Sequence, residues 1–267
     1  MSDAQIIGIC LVRNEERYLD RVIANSIEFC DRFYIADNES TDQTPALAAA
    51  WAERDTRVVY RRIRHPAESH ALIEQYANSP TWIFAVDGDE IYDPAGLKIL
   101  RDQVRAGRWD AQWMIIGNAL NCVFLDLPHG VARGYLSPPS RSITKLYNFN
   151  AITCWSEVTS ERLHGGRLLF KDGFNDRKRE NMNQGCAWEE SIFRCLHLCF
   201  LPRSRLDKIR NGRVSRWNIA EQQSRGYLFW KLARLLGRFN IIPVSKWKWD
   251  RYARGPEVKM NVRDFFV

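Results

Sequence analysis

Asp87 and Asp89 stand one residue apart at the end of an apolar run over residues 82–86, with Gly88 between them and Glu90 after. Aromatic and β-branched content in that run predicts a buried strand. Side chains on a strand alternate, so acids at i and i+2 can share one face. Gly88 removes the side chain between them and lets backbone or ligand come close. Two carboxylates at the carboxyl end of a strand suit a hard divalent cation, Mg2+ or Mn2+, which takes oxygen ligands and shares them with phosphates. A solvated acidic turn has the same local pattern, so the pair gains meaning only from the elements that position it.

Those elements alternate. Gln5–Val12 is a first apolar strand, running into Arg13, Asn14 and Glu15, and the apolar spacing from Tyr18 to Phe29 predicts an amphipathic helix. Residues 33–36 form a second strand, followed by the polar run Asp37, Asn38, Glu39, Ser40, Thr41, Asp42, Gln43, Thr44. That run is dense in capping residues, and Pro45 suits the first turn of an alanine-rich helix. A third strand over 57–60 and a helix over 67–77 precede the strand at 82–86. Strands alternating with helices predict an α/β fold, a mostly parallel sheet with helices on both faces. Ligands of such sheets bind at the carboxyl ends of the strands, where Arg13, Asp37 and Asp87 all fall.

Beyond Asp93–Pro94 the alternation lapses. A helix is expected over 97–104 and a strand over 112–120. Short β-like segments at 141–147, 152–158 and 167–170 read as mixed additions that complete a cleft. Residues 184–199 read as helical, with Cys195 and Cys199 flanking His197, a spacing open to packing or to a metal. Two basic helical segments follow from Arg203, giving a division into a catalytic domain over 1–200 and a basic, aromatic-rich extension over 201–267.

The chain has 267 residues, 45% of them hydrophobic, enough to bury a sizeable core. No apolar run approaches the ~20 residues that span a bilayer, and no signal peptide follows Met1, so a cytoplasmic protein is expected. Seven scattered cysteines without a C-x-x-C pair fit reduced thiols better than a disulfide framework. The net charge of +7 is uneven, since residues 201–254 hold 14 Lys and Arg against 3 Asp and Glu. Within 227–239, Lys231, Arg234 and Arg238 share one helical face and Leu228, Phe229, Leu232, Leu235, Leu236 and Phe239 the other. With Trp217, Trp230, Trp247 and Trp249 nearby, such a helix can lie peripherally on an anionic inner membrane face or pack its apolar side on the domain. No nucleic-acid-binding motif accompanies the basic surface.

The G-x-G-x-x-G, P-loop and G-x-S-x-G fingerprints are absent. The three motifs present, Val12-Arg13-Asn14-Glu15, the polar run from Asp37 to Thr44, and Asp87-Gly88-Asp89-Glu90, resemble in order and kind those of the family-2 glycosyltransferases of GT-A fold. A looser likeness is Cys195-Leu196-His197-Leu198 followed by Ser204 and Lys208. The resemblance implies transfer of a sugar from a nucleotide-sugar, most simply a UDP-sugar, to a hydroxyl of a glycan or lipid-linked saccharide. It implies that Asp37 contacts the base, that Arg13, Glu15 and Gly88 line the same pocket, that Asp87 faces ribose or metal, and that Asp89 and His197 ligate Mn2+ or Mg2+. Family-2 enzymes mostly invert the anomeric centre in one displacement, with a single base.

For that base, Glu189 and Glu190 resemble the family's acidic pair followed by an arginine, here Arg194. Glu157 and Glu161, with His164 close behind, compete for the role. Two other functions use related parts: a sugar nucleotidyltransferase, whose glycine-rich loop is missing from residues 12–16, and a non-catalytic nucleotide-sugar or glycan-binding module of the same fold.

Overall fold

The computed structural model describes residues 4–141, 143–182, 184–210, 213–215 and 246–266. Its nucleus is four parallel strands, β1 (Gln5–Val12), β2 (Arg32–Asn38), β3 (Val58–Ile63) and β4 (Thr81–Asp87), ordered β3-β2-β1-β4. β1 and β4 are nearly uninterrupted apolar runs because both faces of the sheet are covered. Alternate residues part into two cores, with Ile6, Cys10, Val12, Trp82, Phe84 and Val86 on one face. Ile7, Ile9, Leu11, Ile83 and Ala85 lie on the other.

The helices are α1 (Leu19–Ser26), α2 (Thr44–Arg54), α3 (Glu68–Ala71) and α4 (Pro94–Arg105). α1, α2 and α4 send Val22, Trp51 and Leu100 into the first core. Pro45 opens α2 as expected, and Asp93 caps α4 by accepting from the backbone of Ala95 (3.0 Å) and Gly96 (3.2 Å). The helix expected over 67–77 is reduced to α3 and a 3-10 turn at Glu74–Tyr76. There Ser69 and His70 give their side chains to tertiary partners, the hydroxyl oxygen accepting from Arg162 N (3.0 Å) and the ring meeting Trp155 O (2.8 Å) and Arg162 O, and the helix breaks after one turn.

The sheet then grows by β5 (Glu90–Tyr92), β6 (Met114–Asp126), β7 (Val131–Leu136) and β8 (Ile143–Asn148), with β8 antiparallel between β4 and β6. The hairpin of β9 (Ile152–Ser156) and β10 (Arg167–Phe170) lays Trp155, Leu168 and Phe170 against the second core. β11 (Arg179–Asn181) runs parallel to β6.

The helix expected over 184–199 does not form. In its place are a 3-10 turn at Trp188–Glu190 and a strand, β12 (Arg194–His197), set between β6 and β5. A short, wholly buried apolar run has no period that separates strand from helix, and here two neighbouring strands take up its backbone. Cys195 and Cys199 are buried packing groups, not helical neighbours.

The C-terminal stretch also departs from the helical extension expected. β13 (Lys208–Arg210) and β14 (Arg213–Ser215) pair antiparallel, and α5 (Lys246–Tyr252) and a 3-10 turn at Arg263–Phe266 are the helical segments described beyond them. β15 (Glu257–Asn261) then pairs antiparallel with β7, and Phe265 stacks on Trp188 at 5.6 Å. Residues 227–239, with Trp217 and Trp230, lie outside the described residues. Among those described, no helix is long and apolar enough to cross a membrane.

Candidate active site

Register places the candidate groups together. Leu11 of β1 is level with Asp87 of β4, and Val12 is level with Asp37 of β2. The loops leaving β1 and β2 fasten to each other. Asn14, at φ 57, donates its backbone N–H to Ser40 Oγ (2.9 Å) and accepts at Oδ1 from Thr41 N (2.7 Å). The left-handed conformation favours asparagine among non-glycine residues, which accounts for its type at this position. Glu15 N donates to Thr44 Oγ1 (2.7 Å), and Gln43 N donates to Glu16 Oε2 (3.0 Å). Much of the polarity of both motifs is used to join the two loops.

Asp37 is fully buried. It accepts from Ser40 N (2.9 Å) and from the Tyr60 hydroxyl (3.0 Å). Burial, then the charge and hydrogen bond of Asp37, pushes the Tyr60 hydroxyl up to about 12, so it stays a donor at neutral pH. Arg13, half-buried beside it, donates to Asn38 Oδ1 (3.1 Å).

The two acids of the D-x-D have different surroundings. Asp87 is ion-paired with Arg162, whose side chain is only 4% exposed. Arg162 also donates to the carbonyl of Val86 (2.6 Å), near the end of β4, and, more distantly, of Ile9 (3.5 Å), within β1. Burial opposes its charge, but Asp87 and Glu161 outweigh that and hold the guanidinium above its usual range. The loop that delivers it is strained, with Arg162 at φ 29 and Glu157 at φ 59.

Asp89 is buried and faces His197 and Arg203. Pairing of β12 with β5 sets His197 level with Glu90, and Leu198 N donates to the Asp89 carbonyl (2.8 Å). This brings His197 Nε2 to 3.8 Å from Asp89 Oδ2. Asn121, from β6, donates at Nδ2 to Tyr135 O (3.2 Å), and that orients its Oδ1 to accept from His197 Nδ1 (2.7 Å). In the neutral ring, Nε2 is then the lone-pair nitrogen turned toward Asp89.

Arg203 is ion-paired with the same Asp89 oxygen and with Glu15 Oε1 (3.3 Å). Its burial opposes the charge, and Asp89 and Glu15 again hold it above the usual range. Gly88 makes room for Glu15, since a Cβ there would lie 2.5 Å from Glu15 Cγ and 3.1 Å from Val12 Cγ1.

One hard carboxylate oxygen and one imidazole nitrogen suit Mn2+ or Mg2+, and at ligand distances of roughly 2.1 Å one ion can reach atoms 3.8 Å apart. Among the described residues no group of three or more His, Cys, Asp and Glu is gathered as a metal site. A cation on this pair alone would have to complete its shell from phosphate and water.

Glu189 and Glu190 are exposed on the 3-10 turn, where Glu190 Oε2 accepts only from Ala187 N (3.3 Å). Neither contacts Asp87, Asp89 or His197 among the described residues. Arg194, the third member of that motif, is committed to Asp93 (2.9 Å) and to the face of Trp188. Glu161 is half-buried, 4.0 Å from Arg162 and 3.4 Å from His164, while Glu157 is exposed. Sequence reasoning missed Arg162, Arg203, Asn121 and Tyr60. Of these only Arg203 lay near a recognised motif, six residues after His197.

Ligands of α/β sheets bind outside the carboxyl ends of the strands, where these acids and the histidine are collected. The chain belongs to glycosyl transferase family 2, whose model matches residues 9–178. It is 33% identical over 110 residues to the lipopolysaccharide core biosynthesis glycosyltransferase LpsC of Rhizobium meliloti (strain 1021). That match covers 40% of this chain and only 39% of the relative. Among solved structures, S. aureus TarS 1–349 is similar at 16% identity and TM-score 0.36, covering 54% of this chain and 47% of that one. The mannosyltransferase PcManGT of Pyrobaculum calidifontis, in complex with GDP-Man and Mn2+, is similar at 21% identity and TM-score 0.31, covering 44% and 35%.

Proposed function

We propose that this chain is a metal-dependent, inverting transferase of GT-A type, moving a sugar from a nucleotide-sugar to a glycan hydroxyl. The observation that carries the proposal is the convergence of Asp89, in the turn between β4 and β5, and His197, on β12 far along the chain, beside the ends of β1, β2 and β4. Asp89 and His197 would hold the cation, which supplies counter-charge to the departing diphosphate. Arg162 fixes Asp87 at the neighbouring strand end, suited to a ribose hydroxyl. The base would rest by Arg13 and Tyr60, with Asp37 orienting Tyr60 and the loop over it.

The acceptor hydroxyl must lose its proton to a carboxylate as it attacks. Glu190, with Glu189 beside it, takes this role by family likeness. Glu161 is the second reading, favoured by its place beside the Arg162–Asp87 pair.

Nucleoside diphosphates screened by thermal shift, with and without Mn2+, test the donor site, because a ligand that binds only the native state raises stability. Metal-dependent stabilisation by one nucleotide is expected, and no shift with any of them would refute the reading. Transfer assays on Glu190→Gln and Glu161→Gln then assign the base. The variant that loses about 100-fold or more in kcat with donor affinity intact identifies it.

A further inference from the structure

We propose that Arg203 is a resident cation holding the metal's place on Asp89, so that divalent ion and guanidinium compete for that carboxylate until a donor diphosphate arrives. The inference rests on the reading of Asp89 and His197 as cation ligands.

The two buried arginines serve the two motif acids unequally. Arg162 is tied to Asp87 and to two backbone carbonyls, and its own N–H donates to Ser69 Oγ (3.0 Å), so it is a fixed part of the fold. Among the described residues the side chain of Arg203 has two carboxylates as partners, Asp89 and Glu15 (3.3 Å), both met by Nη1, and no backbone carbonyl.

The backbone of Arg203 is well anchored, which leaves the side chain as the part able to move. Arg17 N donates to Arg203 O (3.0 Å), and Asp207 Oδ2 accepts from the N–H groups of Arg203 (2.7 Å) and Ser204 (3.0 Å). Arg205 N and Ser204 Oγ also bind Glu16 Oε1 (2.6 and 3.2 Å).

Charge explains why an exchange follows. Arg203 brings one positive charge to two carboxylates, Asp89 and Glu15. A divalent ion neutralises both acids but needs the oxygen that Arg203 occupies. Ion and arginine held together would leave the cluster with surplus positive charge, which a diphosphate offsets. Without the nucleotide the two cations therefore exclude each other, and with it they act together.

The test is Mn2+ binding to the intact protein without nucleotide, followed by loss of the free-ion electron paramagnetic resonance signal. Arg203→Met is expected to bind Mn2+ at least tenfold more tightly than wild type, and Arg203→Lys close to wild type. Asp89→Asn should weaken binding in both the wild-type and Arg203→Met backgrounds. Should Arg203→Met fail to fold, Arg203→Gln makes the same comparison with a hydrogen-bond donor retained. Affinities within threefold between wild type and the neutral variants, with Asp89→Asn still weakening both, would overturn the exchange alone. No effect of Asp89→Asn in either background would overturn the cation site and the exchange together.

Discussion

Replacing Arg162 by methionine isolates the arginine that holds Asp87. The side chain is 4% exposed and its partner Asp87 is 33% exposed. Removing one member of a buried ion pair costs about 3–5 kcal/mol when the remaining charge stays buried. Asp87 is a third open to water and can be partly rehydrated, which pulls the loss below that range. The carbonyl of Val86, now 2.6 Å from Nη1, loses its donor, and an unmatched buried polar group costs about 1–3 kcal/mol. Together these give an expected loss of about 3 kcal/mol for Arg162→Met, and roughly half that for Arg162→Lys, which keeps the charge but not the fork of donors. Urea unfolding monitored by fluorescence gives the loss directly. A cycle with Asp87→Asn should show a coupling above about 1 kcal/mol. A loss under about 0.5 kcal/mol, with additive behaviour in the cycle, would mean that Arg162 does not position the motif acid.

Two further outcomes follow from neighbouring contacts. Burial alone would raise the Glu16 carboxyl, but hydrogen bonds from the N–H groups of Arg205 and Gln43 outweigh it and lower its pKa. Its stabilisation is therefore complete above the ordinary glutamate value of about 4.3 and lost as pH falls through the lower folded value. Glu16→Gln should flatten the acid limb of stability against pH, and superimposable profiles would contradict this. In Gly88→Ala, the added methyl meets Glu15 Cγ at 2.5 Å and must push the Glu15 side chain from Arg203. A loss of about 1–3 kcal/mol by chemical denaturation is expected, and unchanged stability would show that the site absorbs a methyl freely.

The strands of the nucleus were legible because their signal is local. Eight consecutive mostly apolar residues at Gln5–Val12 and the run into Asp87 each announce a strand with both faces covered, and the polar stretch from Asp37 to Thr44 announces a loop. Even so, the 67–77 segment has a helical pattern but is not one helix, because Ser69 and His70 are bound by partners more than 80 residues away. The motif residues were found, but their tasks were only partly visible. Asn14 and the capping-type residues Ser40, Thr41 and Thr44 are the fastening between two loops.

What the sequence determined by itself was the parallel nucleus, the order of its three polar motifs and the presence of acids at its carboxyl ends, all carried by short-range pattern. What the tertiary structure alone decided was the company those acids keep. His197 reaches Asp89 because β12 is taken into the sheet beside β5, and Arg162 and Arg203 arrive from loops 75 and 114 residues further along the chain. Arginine is common and has no periodic signature, so a counter-ion of this kind is invisible until the fold closes. A carboxylate's charge can be read from one residue, but its partner is fixed only by which distant segment the sheet brings against it.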